Sequence, residues 1–268
     1  MSLLSQIYPP WVAYEPGLVP PLDIMALEGI GVLEEWFRWG EEWAVMLRAY
    51  AGAGRTSAVL EIGCGLGRIA FSLRYLLDRG RYDGFEIVRR KIDFLKSTFE
   101  PVHPNFRFTW ADVHNSHYNP AGVHRAEHYR FPYEDGSYDV VFAASVFTHM
   151  TPENTANYFR EASRVLRAGG RCLFSFFLLD YYQPVDRRPA GFDKPDFNLV
   201  HPYSPDSDGC ALAFPEDPER MTGYRLSFIR QLAEDAGLRM QEPPLPGYWS
   251  GVPNYIGAQD LVVLIKPA

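Results

Sequence analysis

A chain of 268 residues that is 47% hydrophobic can build one large core but is tight for two domains. Its formal net charge of −7 comes without any basic run, which argues against a nucleic-acid surface that tracks phosphates. Three cysteines, Cys64, Cys172 and Cys210, form no CxxC pair, and no apolar run approaches the roughly 20 residues of a membrane span. The first ten residues show no basic stretch leading into an apolar one, so the reading is a cytoplasmic chain with neither nucleic acid nor membrane as partner.

Residues 1–22 hold Pro9, Pro10, Pro16, Pro20 and Pro21 and should run extended over another surface. A helix is expected at about 33–50, where Leu33, Trp36, Phe37, Trp43, Leu47 and Tyr50 recur on one face. Residues 1–55 therefore read as an N-terminal arm and helix that cap a core. From residue 58 strands and helices alternate. Strands are expected at 58–62, 82–86, 105–110, 138–143 and 171–178, with helices at 68–78, 88–99 and from Pro152, capped by Thr151, to the pair Gly169-Gly170. The run at 138–143 is almost wholly apolar, as suits a strand covered on both faces. Such alternation implies βαβ units and a parallel sheet, giving a core at 56–178.

Residues 180–221 break the rhythm with seven prolines and no periodicity. They read as a lid insertion, 179–221, in which Phe192, Phe197, Tyr203 and Phe214 pack. A helix at about 223–236 and two strands, near 238–241 and 260–265, complete the core across 222–268.

The stretch from Val59 to Gly67 concentrates the chemistry. A strand runs into Gly63-x-Gly65-x-Gly67, and a helix follows at once. Glycines allow a sharp turn and close approach to a ligand, and free N–H groups at a helix start favour electronegative groups. A dinucleotide fingerprint is GxGxxG. Here the third glycine comes one step early, and Arg68 stands where that motif has glycine. Twenty-three residues past Gly63, the second strand ends in Glu86, a carboxylate able to accept from both hydroxyls of a ribose. Together these point to a nucleoside ligand.

Five ordered blocks carry a resemblance: Leu60-Glu-Ile-Gly-Cys-Gly-Leu-Gly-Arg68, Tyr82-Asp-Gly-Phe-Glu-Ile87, Ala111-Asp112-Val113, the run from Phe131 to Val141, and Val165-Leu-Arg-Ala-Gly-Gly-Arg171. Over roughly 56–178 and 222–266 the chain resembles the class I S-adenosylmethionine (SAM)-dependent methyltransferases. The resemblance implies a Rossmann-like α/β fold: a seven-stranded, mostly parallel sheet with helices on both faces and the last strand antiparallel. It implies SAM as cofactor and S-adenosylhomocysteine as product. Glu61 with Gly63, Gly65 and Gly67 would hold the methionine end. Glu86 would take the ribose, Ile87 would pack on the adenine, Asp112 would take the adenine amino group, and Val113 would add a backbone contact. The methyl group would go to a small-molecule acceptor, in the first instance a hydroxyl of a secondary metabolite or glycan. Carbon and nitrogen acceptors are the alternatives on the same fold.

Methyl transfer to a hydroxyl needs a base. His149, in Ser145-Val-Phe-Thr-His-Met150 just past the fourth strand, is the candidate, and the block is similar to the catalytic-histidine segment of plant-type O-methyltransferases. A longer stretch after Asp112 holds His114, His117, His124 and His128. Their spacing is loose and no cysteine joins them, so no metal is assigned and they stand as rival bases. Tyr8, Trp11 and Tyr14 of the arm, with the lid and Trp249, are expected to roof an aromatic acceptor pocket. Two other readings stay open: an oxidoreductase using NAD(P), and a non-catalytic SAM binder. A homo-oligomer is compatible with the sequence.

Overall fold

The computed structural model describes residues 15–183 and 197–268. Its strands are β1 (Ala58–Ile62), β2 (Arg81–Glu86), β3 (Phe106–Trp110), β4 (Tyr138–Ala143), β5 (Leu166–Phe176), β6 (His201–Ser204), β7 (Ser207–Leu212), β8 (Thr222–Tyr224), β9 (Arg239–Leu245) and β10 (Asp260–Ile265). The helices that frame the site are α1 (Leu33–Met46), α2 (Arg68–Leu73), α3 (Arg89–Thr98), α4 (Pro152–Val165) and α5 (Leu226–Asp235).

Seven strands form one sheet in the order β3-β2-β1-β4-β5-β10-β9. The first five are mutually parallel, and β10 runs antiparallel to both β5 and β9. This is the expected Rossmann-like arrangement. Alternate residues of β4 feed opposite faces. Val140 and Phe142 join Trp36, Phe37, Ile69 and Leu95 of α1 to α3, while Val141 and Ala143 join Phe159, Ala162 and Ile229 of α4 and α5. With a core on each side, β1 and β4 must be apolar throughout, and only their tips can carry polar groups.

Four local expectations change. The helix α4 stops at Val165, not at the glycine pair, because Leu166 already pairs with Tyr138 of β4. Gly169, at φ +75°, sits inside β5 and donates its N–H to the Lys266 carbonyl at 2.9 Å. The described part of 180–221 is not structureless: β6 and β7, with β8, make a three-stranded antiparallel sheet. Its Cys210, Leu212 and Tyr224 pack into the core beneath α4 and α5. Finally α1 ends at Met46, followed by one wider turn, Leu47–Ala51.

Ahead of α1 a strap of short turns, Pro16–Leu18, Leu22–Met25 and Ala26–Glu28, crosses the molecule. Leu18, Met25 and Ile30 are buried in the same core as α1. Glu15 anchors its start on Arg74 at 2.7 Å and His103 at 3.1 Å. Tyr8, Trp11, Tyr14 and Phe192 lie outside the described residues. Of the other aromatics expected to roof a pocket, Phe197 and Trp249 pack on Phe177, Tyr203 bonds Glu153, and Phe214 lies under Arg220. None of these four lines either of the two cavities described below.

Candidate cofactor site

The parallel strands end together, and the chain turns at each tip. After β1 the backbone passes through Gly63, Gly65 and Gly67 at φ +69°, +52° and +77°, a region that side chains strain to adopt. A Cβ on Gly67 would stand 2.6 Å from a methyl carbon of Leu95, so this glycine lets α2 sit tightly on α3. Cys64 N–H donates to Phe85 O at 3.0 Å, which ties the glycine loop to the tip of β2.

A cavity of about 530 Å³ opens over the tips of β1, β2 and β4, a size usual for small-ligand sites. Glu61, Gly63, Gly65, Glu86, Ile87, Val113 and His149 all contribute to its wall. Gly67 and Asp112 do not. Gly67 faces Leu95, and Asp112 accepts a hydrogen bond from Asn119 at 3.1 Å within the histidine-bearing loop. Val113 donates its N–H to Ala111 O at 2.7 Å and so presents its side chain to the cavity.

Glu86 is 6% exposed. One carboxylate oxygen accepts from Gly65 N–H at 3.0 Å and the other from Val88 N–H at 2.9 Å. Lys91, one turn along α3, stands 3.2 Å from Glu28 of the strap. Burial pulls its pKa down, but the carboxylates of Glu86 and Glu28 outweigh this and hold it raised.

Glu61 is buried and accepts from the Tyr82 hydroxyl. Burial pushes its pKa up to about 8, against the pull of that hydrogen bond. Such a carboxyl is neutral until a cation arrives. The sign follows from linkage. Between its usual 4.5 and about 8, the unfolded chain gives up a proton that the folded chain keeps, so stability falls as pH rises. Glu61→Gln keeps an oxygen for Tyr82 and abolishes the titration. We expect the variant to melt at least about 2 °C above wild type at pH 8, with the gap closing toward pH 5. Equal melting temperatures at pH 8 would refute a Glu61 carboxyl raised by burial.

The ring of His149 is fixed by its partners. Nδ1 lies 2.9 Å from Arg220 O, so it must carry the proton, and Nε2 keeps its lone pair. The Tyr118 hydroxyl stands 3.4 Å from Nε2. Burial lowers the His149 pKa to about 4. Among the other histidines, His114 and His117 reach the cavity wall, whereas His124 and His128 do not. No group of three or more His, Cys, Asp or Glu among the described residues is arranged to hold a metal ion.

A second cavity, about 240 Å³, lies over β4, β5 and β10 and shares Trp39, Arg68 and Ser145 with the first. Trp43, Glu42, Ser175 and Gln259 add to its wall. Sequence reasoning missed Glu28, Arg68, Lys91 and the tryptophans of α1. Lys91 left one trace, a cation next to the apolar stripe of α3 directly after Glu86.

Residues 60–174 match the family described as "Methyltransferase domain". Among solved structures, a protein of Pyrococcus horikoshii aligns over 97% of this chain and 100% of its own, with a TM-score of 0.57 and 17% identity. The CcbJ methyltransferase of Streptomyces caelestis aligns over 96% and 94%, with a TM-score of 0.53 and 17% identity. The 1,6-didemethyltoxoflavin-N1-methyltransferase of Burkholderia thailandensis, a structure that holds 1,6-didemethyltoxoflavin and S-adenosylhomocysteine, aligns over 95% and 94%, with a TM-score of 0.50 and 14% identity. At such identities the structural likeness speaks for the fold, while the domain match runs from β1 into β5 through both glycine loop and Glu86. On this seven-stranded topology, the match identifies residues 60–174 as a methyltransferase domain.

Proposed function

We propose that SAM lies in the larger cavity and that its methyl group goes to a hydroxyl of a small molecule. The nucleoside rests on Glu86, Ile87 and Val113, and the methionine end reaches toward Glu61, Gly63 and Gly65. The observation that carries this reading is Glu86: a buried carboxylate on the cavity wall, oriented by two backbone N–H groups, with lone pairs left for a diol. The residues present fit the group. The glycine loop is close-packed, since a Cβ on Gly63 would stand 2.6 Å from Val146, and Gly63 and Gly65 form part of the cavity wall. Glu61 is a buried carboxyl that forms no ion pair among the described residues, with Arg68 acting on it only at longer range, and the methionine end brings an ammonium.

When bound, SAM supplies a methyl carbon already activated by the sulfonium charge. The chain then has to exclude water, align the acceptor and take up one proton. His149 is the group read as taking it. Arg220 O holds its Nδ1 proton, so Nε2 is the acceptor, and the residue lines the larger cavity. Bound SAM would supply the methyl group to the acceptor hydroxyl, and Nε2 of His149 would take up the hydroxyl proton. The acceptor is read as lying at the His149 end of the larger cavity; the second cavity, walled by the Trp39 and Trp43 indoles, shares Ser145 with it. The Burkholderia relative in the comparison is named for a small-molecule acceptor, which supports that class. Asp112 is off the cavity wall and its Oδ1 accepts from Asn119; its Oδ2 is the oxygen read as taking the adenine amino group.

Calorimetric titration with SAM and, separately, with NAD tests the reading. Saturable binding of SAM alone is expected, followed by release of S-adenosylhomocysteine when hydroxylated acceptors are added. Binding of NAD in preference to SAM would restore the oxidoreductase reading.

A further inference from the structure

The strap brings to the cavity a carboxylate that no strand tip supplies. Glu28 Oε1 accepts from Leu66 N–H at 2.8 Å and stands 3.2 Å from Lys91 Nζ. It also occupies the space that a Cβ on Gly65 would need, so the carboxylate lies flat on that glycine. The N–H of Gly65 itself donates to Glu86 at 3.0 Å. Two carboxylates from distant parts of the chain thus flank one glycine and are held by consecutive backbone N–H groups. Like charges so placed repel unless a cation offsets them. Lys91, whose side chain is 8% exposed, is that cation. The second oxygen of Glu28 has no hydrogen-bond partner among the described residues, and the residue lines the larger cavity.

A ribose offers two neighbouring O–H donors. Glu86 already accepts two backbone N–H bonds, whereas Glu28 has a whole oxygen to give. Resting on the reading that a nucleoside lies against Glu86, we propose that Glu28 is a second acceptor for the ribose diol, so that the N-terminal strap is part of the cofactor site. Sites built to bond a hydroxyl reject the analogue that lacks it far more strongly than apolar sites reject a missing methylene. The diol is therefore read by two elements, one fixed at the tip of β2 and one carried by the strap.

The test is calorimetry of the full chain with S-adenosylhomocysteine and with its 2′-deoxy and 3′-deoxy analogues. Glu28→Gln is expected to weaken binding of the parent compound about tenfold or more, the worth of one hydrogen bond to a charged acceptor. It should leave the affinity of one deoxy analogue unchanged, because the partner hydroxyl is already missing. A merely structural role would weaken all three ligands by one common factor, and that pattern overturns the proposal. So does an unchanged affinity for the parent compound. Glu28→Asp, which shortens the arm and keeps the charge, should reproduce the same ligand selectivity and serves if the glutamine variant does not fold. Failure of the wild type to bind S-adenosylhomocysteine removes the nucleoside reading itself. Binding without the predicted selectivity removes only the role of Glu28.

Discussion

Glu86→Ala is expected to weaken SAM binding about 100-fold or more while leaving the fold cooperative. The estimate follows from two ligand hydroxyls losing a charged acceptor, each worth about 1.5–3 kcal/mol, with partial overlap because a diol deprived of one partner reorients. The variant also frees Gly65 N–H and Val88 N–H, which Glu86 now occupies. Both bond a carboxylate that lies on the cavity wall, where water can replace it, so the cost to stability should be modest. The neighbouring charges sharpen the prediction. With Glu86 removed, Lys91 keeps Glu28 as its partner at 3.2 Å and is not stranded. Glu86→Gln provides the internal control. It retains one accepting oxygen and the shape, so it should fall between wild type and alanine. Calorimetry reads all three, and a melting curve checks that each is folded. An alanine variant that binds SAM as tightly as wild type would end the assignment of the cavity to a nucleoside.

How far the sequence reveals this site depends on the range over which each constraint acts. Gly63, Gly65 and Glu86 were readable because each is fixed by its own strand: a buried strand has nowhere to put a glycine turn or a carboxylate except its tip. The apolar runs of β1 and β4 were readable for the same reason, since both faces are covered. Glu28 was not, because its role comes from a strap that meets the glycine loop only in the folded chain, 38 residues away from Leu66 in sequence. Asp112 shows the converse. The block Ala111-Asp112-Val113 falls where the family has an adenine contact, and only the folded chain shows that Asp112 lies off the cavity wall, with Asn119 of the following loop donating to one of its oxygens. The sheet of β6, β7 and β8 was hidden by its own composition. Prolines and aspartates interrupt the alternation, and the residues that pack, Cys210, Leu212 and Tyr224, are split between strands ten residues apart. For Glu28, legibility therefore ended because its partners on the glycine loop and on α3 lie far along the chain.

His149→Ala is expected to leave SAM affinity unchanged and to lower kcat by about 10²–10⁴, the usual range for a lost acid–base group. The pH profile makes the assignment discriminating. An exposed histidine near 6.5 would switch a base off as the medium turns mildly acidic. Here burial lowers the His149 pKa to about 4, so Nε2 keeps its lone pair through pH 5. The acid limb of kcat/KM should accordingly fall near pH 4. The same shift acts on stability, and its sign has to be separated from catalysis. A histidine whose folded pKa is depressed stabilises the fold fully above 6.5, and that contribution is lost as pH falls toward 4, because the unfolded chain takes up the proton first. Wild type should therefore lose melting temperature across this window, and His149→Ala should lose less. Measuring rate and melting temperature on the same samples distinguishes a protonated base from a loosened fold. If the acid limb lies near 6.5, or if the alanine variant turns over at the wild-type rate, the proton goes elsewhere. The remaining histidines on the cavity wall, His114 and His117, would then be the ones to replace.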